Sequence, residues 1–215
     1  MSVSQDSGMI RVWDPLVRIG HWVLVAGFAT AYLTEGEPEW LHTYAGYAIA
    51  ITVALRVLWG LFGPRRARFS DFVTGPSRVF GYLRDLVSGS AERHVGHSPA
   101  GGAMTVALLA MLALTTVSGM GLLAAEEGRG PLAGIVAAAP AEGSGTMLAS
   151  DEEYGEHGED EHGESEAGEM WEEVHEVAAN GTLLLVILHL AGVLWASVAH
   201  RENLARAMVT GRKRA

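Results

Sequence analysis

Two histidines near the C-terminus are spaced to hold metals at opposite membrane faces. His175 and His189 lie fourteen residues apart, and His189 falls inside the apolar run 182–198. On an α-helix this separation is about four turns, so both imidazoles lie near one stripe, about 21 Å apart along the axis. Because the hydrocarbon core of a bilayer is roughly 30 Å thick, one spanning helix would present two nitrogen ligands toward opposite faces. The spacing therefore predicts two metal centres in series across a membrane.

The composition predicts the fold that would position these ligands. Hydrophobic residues make up 49% of the 215 residues and are concentrated in long runs. Such runs suit membrane-crossing α-helices, whereas a closed barrel would need short alternating segments. We therefore expect one domain, 1–215, that is an all-α integral membrane protein. It would be a four-transmembrane-helix bundle with spans at about 16–34, 42–62, 103–125 and 176–199.

Charge is distributed unevenly between the two sets of loops. Arginines flank the entry to the first run, six more lie at 65–93, and the chain ends with the basic segment 201–214. The opposite loops, 34–41 and 126–174, hold one arginine and most of the acid. By the positive-inside rule, both termini and the middle loop are cytoplasmic. Within the middle loop, a helix over 76–88 would place its apolar residues on one side and its charged residues on the other, as expected for an amphipathic helix on the cytoplasmic leaflet.

Four histidines are placed to form two facing pairs. His42 and His175 begin spans on the outer side, whereas His21 and His189 lie in the inner half. His21 and His189 lie at the same depth in the membrane only if a helix is tilted or the fourth helix continues beyond its apolar run. His200 is therefore the alternative partner for His21. Any one of these histidines could equally be a packing residue. Two pairs of axial imidazoles would hold two non-covalent haem b groups, and the absence of cysteine excludes covalent attachment.

Two residues of the second run complete the candidate cofactor site. Gly46 follows His42 by one helical turn and would leave room for a porphyrin face. Arg56 lies deep in the same run, where a charged side chain is costly unless it pairs with an anion or reaches the headgroups. We expect Arg56 to neutralise a propionate of the inner haem.

The segment 126–174 is predicted to be a long acidic periplasmic loop that is partly disordered. Its second half is nearly all Glu, Asp, Gly, Ser and His, so it cannot bury enough apolar surface to fold alone. His157 and His162 lie in this half. They could belong to a solvated loop, to a weak divalent-metal site, or to a docking surface for a basic partner such as a small cytochrome c.

Several motifs resemble the bacterial cytochrome b561 family and the related b-type cytochrome subunits of membrane-bound Ni/Fe hydrogenases. They are Arg18-Ile19-Gly20-His21-Trp22, Leu41-His42-Thr43-Tyr44-Ala45-Gly46-Tyr47, Gly96-His97-Ser98-Pro99-Ala100-Gly101-Gly102, and His175-Glu176 through Ala179-Asn180 to His189. The resemblance implies an inner-membrane cytochrome with two b haems. It also implies that the axial ligands are His21, His42, His175 and His189. The long acidic loop departs from the compact members of the family.

The expected function is transmembrane electron transfer between the quinone pool and a periplasmic redox partner. Bis-imidazole ligation leaves no open iron site, so the protein would be an electron carrier and at most a quinone-linked oxidoreductase. Expected partners are membrane lipid, a quinone, and a cytochrome c or other redox protein at the acidic loop. A homodimer is a further candidate, and no nucleic acid is expected. The alternatives are the cytochrome b anchor subunit of a hydrogenase or dehydrogenase, and a haem-free metal-ion transporter.

Overall fold

Four long helices form the body of the protein. The computed structural model describes residues 8–34, 37–136 and 166–214. In chain order its elements are β1 (Met9–Arg11), α1 (Pro15–Thr34), α2 (Glu39–Phe62), α3 (Phe69–Phe72), α4 (Pro76–Ser88), α5 (Pro99–Glu127), α6 (Ala133–Val136), α7 (Glu166–Ala199), α8 (Leu204–Thr210) and β2 (Arg212–Arg214). Helices α1, α2, α5 and α7 are long and apolar enough to cross a membrane.

The long helices extend beyond the apolar runs of the sequence. Helix α5 begins four residues before the predicted span, because Ser98 caps the backbone N–H of Gly101 and Pro99 occupies the first turn. Helix α7 begins ten residues before its predicted span. Its added turns are rich in Glu, which forms helices readily but carries no hydropathy signal. Hydropathy therefore marked the apolar part of each helix rather than its ends.

Small residues bring α5 and α7 close together. A Cβ atom at Gly121 would lie 2.4 Å from the Trp171 ring, so only glycine permits this approach. Ser118 and Thr182 are fully buried between the helices, and the hydroxyls of Thr115 and Thr182 are 3.1 Å apart. This seam matches the small-residue packing expected between membrane helices.

Helix α7 is attached to the rest of the bundle mainly through α5. Helix α1 packs against α2, α2 packs against α5, and α5 packs along α7. The core between α2 and α5 contains Ile49, Val53, Leu109 and Leu112. Within the described residues, neither α1 nor α2 packs against α7 as extensively as α5 does. The seams that α7 forms with α1 and α2 are therefore more open.

The two ends of the chain and the middle loop meet at one end of the bundle. Strands β1 and β2 pair antiparallel, with Ile10 opposite Lys213. Nη1 of Arg66 donates to the Arg11 carbonyl, which ties the middle loop to β1. We call residues 9–14, 64–98 and 200–214 the basic cap, because they contain twelve of the fifteen lysines and arginines of the chain. The first and last segments that the structure describes thus share one end with the middle loop.

Helix α4 has the bounds predicted for the amphipathic segment, but its apolar residues do not share one environment. Tyr82 and Leu86 are buried, and the helix packs against α5. Phe80, Leu83 and Val87 are exposed. The helix therefore both contacts the bundle and carries apolar side chains on its outer surface.

The opposite end of the bundle is acidic. It consists of residues 37–41, 126–136 and 166–176, which we call the acidic end. Arg129 is the single arginine or lysine in these segments, and its guanidinium contacts Glu39 at 2.8 Å and also Glu127. The acidic residues of these segments are Glu37, Glu39, Glu126, Glu127, Glu166, Glu169, Glu172, Glu173 and Glu176. The predicted outer loop lies mostly outside the described residues, including His157 and His162.

Candidate functional site

The first histidine pair lies near the acidic end. His42 on α2 faces His175 on α7, with ring centres 6.1 Å apart and ring planes at 70°. Both side chains are partly buried. The rings meet across the open seam between α2 and α7.

In each ring of this pair, Nδ1 is hydrogen-bonded to a backbone carbonyl. Nδ1 of His42 donates to the Ala31 carbonyl at 2.9 Å, and Nδ1 of His175 donates to the Thr115 carbonyl at 2.9 Å. A carbonyl only accepts, so the proton resides on Nδ1 and leaves the Nε2 lone pair available. Such outer contacts fix the orientation of metal-binding histidines. The pair therefore presents two unprotonated nitrogens.

The second pair lies nearer the basic cap. His21 on α1 faces His189 on α7, with ring centres 6.4 Å apart and ring planes at 56°. Nδ1 of His21 is buried and has no hydrogen-bond partner among the described residues. His200, the alternative partner for His21, instead lies 3.3 Å from the Tyr82 hydroxyl through Nε2. The structure thus brings His21 together with His189 and leaves His200 in the basic cap.

The two pairs occupy different depths because α7 contributes one histidine to each. The fourteen residues between His175 and His189 correspond to about 21 Å along a helix axis. Each pair spans a seam where α7 is not closely packed. Facing imidazoles in an open seam can bind a metal from both sides, which suits a flat metal cofactor inserted between helices.

Gly46 lies one turn from His42 on α2 and borders open space. A Cβ atom built on Gly46 would meet no atom within 4 Å. Gly119, on α5, is closely packed instead, because a Cβ there would lie 2.9 Å from Cε1 of His175. Gly46 therefore leaves space near this pair, whereas Gly119 permits close contact with the His175 ring.

Arg56 lies on α2 toward the basic cap and is buried, with 8% of its surface exposed. Its guanidinium carbon is 5.2 Å from the centre of the Phe69 ring and 5.9 Å from that of Phe72. Neither terminal nitrogen of Arg56 has a hydrogen-bond partner in the part of the chain that the structure describes. A buried guanidinium without an acceptor is costly, so this part of the structure suits an added anion.

The remaining described histidines belong to the basic cap. Nδ1 of His94 lies 3.0 Å from the Glu92 carbonyl, which keeps His94 within its own loop. His97 is largely buried against Trp13 and Phe72. Burial, together with the nearby positive charges of Arg56 and Lys213 and despite Asp71, lowers the pKa of His97 to about 4. His97 is therefore neutral at pH 7.

The carbonyls that hold His42 and His175 could not be identified from the sequence, because every residue carries a carbonyl. The cluster around Arg56 was also missed, since Trp13, Phe69 and Phe72 come from separate segments of the chain. One signal was available for the α5 contact. The stretch 118–121, with its small residues, indicated close packing, and the structure places His175 and Trp171 against it.

Comparison with known proteins identifies the family of the chain. The family model described as prokaryotic cytochrome b561 matches residues 12–211. No curated protein and no solved structure matches the chain. The matched region contains all four long helices and both histidine pairs. The chain therefore belongs to the prokaryotic cytochrome b561 family of multi-pass membrane proteins, b-type cytochromes that bind haem b and take part in electron transfer.

Proposed function

We propose that this protein carries electrons across the bacterial inner membrane through two haem b groups. Quinone or quinol would exchange electrons with one haem, and a periplasmic redox protein would exchange electrons with the other. His42 and His175 would be the axial ligands of the outer haem. His21 and His189 would be those of the inner haem.

The observation that carries this proposal is the separation of the facing imidazoles. With metal–nitrogen bonds of about 2 Å, and each ring nitrogen roughly 1.1 Å from its ring centre, two imidazoles bound to opposite sides of one metal have ring centres about 6.3 Å apart. The separations here are 6.1 Å for His42 and His175 and 6.4 Å for His21 and His189. Both pairs thus fit two axial ligands of one iron.

Three features of the surrounding chain also support haem binding. The carbonyls of Ala31 and Thr115 leave Nε2 of the outer histidines free to coordinate. The open space at Gly46 accommodates part of a macrocycle. The unpartnered guanidinium of Arg56 suits a propionate of the inner haem.

The proposed orientation rests on the charges at the two ends of the bundle. The basic cap contains both termini and the middle loop, so the positive-inside rule assigns it to the cytoplasm. The acidic end then faces the periplasm. There it offers a surface complementary to a basic redox partner such as a small cytochrome c, because opposite charges steer association. The arginines and exposed apolar side chains of α4 suit contact with the lipid of the cytoplasmic leaflet.

The chain's contribution to electron transfer is positioning. When bound, bis-imidazole haem b supplies one-electron transfer with no open iron position. Helix α7 holds one ligand of each pair and therefore fixes the two centres on one rigid element. The α5–α7 seam keeps His175 in place through contacts with Thr115 and Gly119. The backbone carbonyls that hold both outer rings would keep these two ligands oriented toward the metal.

Haem content per chain tests the proposal most directly. The purified protein should give two haems per chain in a pyridine-haemochrome assay. His42→Ala and His175→Ala should each lose the same haem, and His21→Ala and His189→Ala should each lose the other. Reduced-minus-oxidised spectra and redox titrations would identify which centre remains. Tyr82→Phe, which removes only the contact with His200, is the matched control and should retain both haems.

A colourless protein, or four histidine variants with unchanged two-haem spectra, would overturn the assignment. The alternative of an anchor subunit uses the same haems but requires a dedicated partner. Co-purification of a catalytic subunit in a fixed ratio would favour it. The haem-free transporter does not agree with membership of a haem-binding family.

A further inference from the structure

Two buried side chains lie near one another, His97 in the basic cap and Arg56 on α2 beside it, and both have polar atoms without hydrogen-bond partners among the described residues. Across residues 8–34, 37–136 and 166–214, neither terminal nitrogen of Arg56 has a partner, and Nδ1 of His97 is buried without one. Both side chains lie beside the Phe72 ring. The His97 ring centre is 4.2 Å from that ring's centre, and the Arg56 guanidinium carbon is 5.9 Å from it. Two unpartnered polar groups beside the same ring point to one group that could bind both of them.

The two carboxylates whose charges act on Arg56 and His97 are Asp14 and Asp71, and both accept hydrogen bonds from other residues. One oxygen of Asp14 accepts from the backbone N–H of Val17 at 3.0 Å, and the other accepts from Nε1 of Trp59 at 3.0 Å. Asp71 accepts from the backbone N–H of Arg66 at 2.9 Å. Neither forms a hydrogen bond to Arg56. The acceptor that Arg56 and His97 lack is therefore absent from the described part of the chain.

His97 is held firmly in position for this role. It precedes Ser98, whose side chain caps α5, so the start of that helix fixes the backbone of His97. Its ring lies edge-on to Trp13, 4.7 Å between centres, and is tilted 31° from the plane of Phe72. An imidazole packed by two aromatic rings has little freedom to find another partner.

We propose that Arg56 and His97 form one carboxylate-binding site and that His97 is the second residue to contact a propionate of the inner haem. This inference rests on the proposed function. Arg56 provides the positive charge and His97 provides a hydrogen bond. The charged groups that face His97 are Arg56 from α2, Lys213 from β2 and Asp71 from α3.

The arrangement also couples the inner haem to protons. Reduction adds negative charge beside His97, which favours the protonated imidazole. The pKa of His97 is lowered to about 4 in the absence of a bound carboxylate, and a bound carboxylate would raise it from there. The midpoint potential of the inner haem should therefore fall as the pH rises between about 4 and neutrality.

Redox titration of the intact protein tests the shared site. Arg56→Gln should lower the midpoint potential of one haem, because removal of a positive charge disfavours the added electron. His97→Leu should change the potential of the same haem and abolish its dependence on pH. The effects of the two substitutions should not add in the double variant, because both residues act on one group. His97→Gln, which retains a donor, should recover part of the potential but none of the pH dependence.

His94→Gln is the matched control, since His94 lies in the same loop and contacts its own backbone. It should leave both potentials and their pH dependence unchanged. Haem content must be measured in every variant. If the unaltered protein lacks haem, the proposed function fails. If two haems are present but Arg56→Gln and His97→Leu act on different haems, or His97→Leu changes neither the potential nor its pH dependence, the shared site alone fails.

A phosphate group, free or from a lipid headgroup, would satisfy the same donors. The phosphorus content per chain would be measured in the lipid extract and in the ashed residue of the extracted protein. The first value reports lipid phosphate and the second reports free phosphate, and together they distinguish these sources from a propionate. If the bound group is a propionate, the phosphorus content per chain should be equal in the unaltered protein and in Arg56→Gln. Loss of extractable phosphorus in Arg56→Gln with unchanged potentials would assign the site to lipid. Loss of non-extractable phosphorus would assign it to free phosphate, and either result overturns the inference.

Discussion

The imidazole of His175 lies directly against the backbone of Gly119. A Cβ atom at residue 119 would be 2.9 Å from Cε1 of that ring and 3.1 Å from its Nδ1. The same Nδ1 is held by the Thr115 carbonyl, so the ring cannot move away without losing its hydrogen bond. The α5 backbone therefore sets the position of a proposed axial ligand.

Gly119→Ala should displace His175 and weaken or abolish binding of the outer haem. We expect one haem per chain, or two haems with an altered outer spectrum, in the haemochrome assay and the difference spectrum. Gly81→Ala, on α4 and away from both histidine pairs, is the control, since a Cβ there meets no atom within 4 Å and residue 81 is exposed. Unchanged binding of both haems in Gly119→Ala would contradict the proposed role of this contact.

The stability of the α5–α7 seam should depend more on close packing than on the hydrogen bond between the Thr115 and Thr182 hydroxyls. Gly121→Ala places a methyl group 2.4 Å from the Trp171 ring and should destabilise the protein by about 1–3 kcal/mol, the usual cost of overpacking. Thr182→Val removes the hydrogen bond to Thr115 and should cost only about 0.6 kcal/mol, as is typical between membrane helices. Thermal unfolding in detergent would compare the stabilities of the two variants. A larger effect of Thr182→Val would reverse this ranking.

Glu202 should stabilise the basic cap at neutral pH. Its carboxylate lies 3.3 Å from Arg93 and 3.4 Å from Lys213, and it accepts from the backbone N–H of Arg214. Burial alone would raise the pKa of Glu202, but the Arg93 hydrogen bond, Lys213 and Arg214 outweigh it and lower the pKa. Glu202→Gln leaves Lys213 buried without a charged partner and should cost about 3 kcal/mol, the low end for a broken buried pair.

The lowered pKa of Glu202 also fixes the direction of the pH dependence. Because the pKa is lower in the folded protein than in the unfolded chain, this contribution is present above about pH 4.5 and is lost as the pH falls through the folded value. The difference in the free energy of unfolding between the unaltered protein and Glu202→Gln should therefore narrow as the pH falls from 7 to 3. Thermal unfolding across this range would measure it. Glu92→Gln, in the same cap, is the control. A constant difference across this range would exclude the ionised form of Glu202 as the cause.

The acidic end should make electron transfer to a basic partner sensitive to salt. We expect the rate with a basic c-type cytochrome, measured by stopped flow, to fall about tenfold or more as ionic strength rises to physiological values. Replacing Glu169, Glu172, Glu173 and Glu176 with Gln should reduce both the rate and its salt dependence. Asp85→Asn, on α4 of the basic cap, should alter neither. Equal salt dependence in all variants would exclude this surface as the docking site.

The sequence by itself determined the four long helices and the histidines that they carry. Long apolar runs are a local property, because a helix satisfies its backbone hydrogen bonds within one segment. The spacing of His175 and His189 is also local, since the helical rise fixes their separation whatever surrounds them. The bounds of α4 followed from local signals as well, namely Pro76 in the first turn and Gly89 in the left-handed conformation after the last.

Only the tertiary structure decided which side chains meet. It brought His21 to His189 rather than to His200, because the depth of a residue in a bundle depends on how each helix is packed and tilted. It also buried His97 between Trp13 and Phe72, and it left Arg56 without an acceptor from the described residues of its own chain. These relationships join residues far apart in sequence, and no local pattern records the rotation and offset of helices that create them.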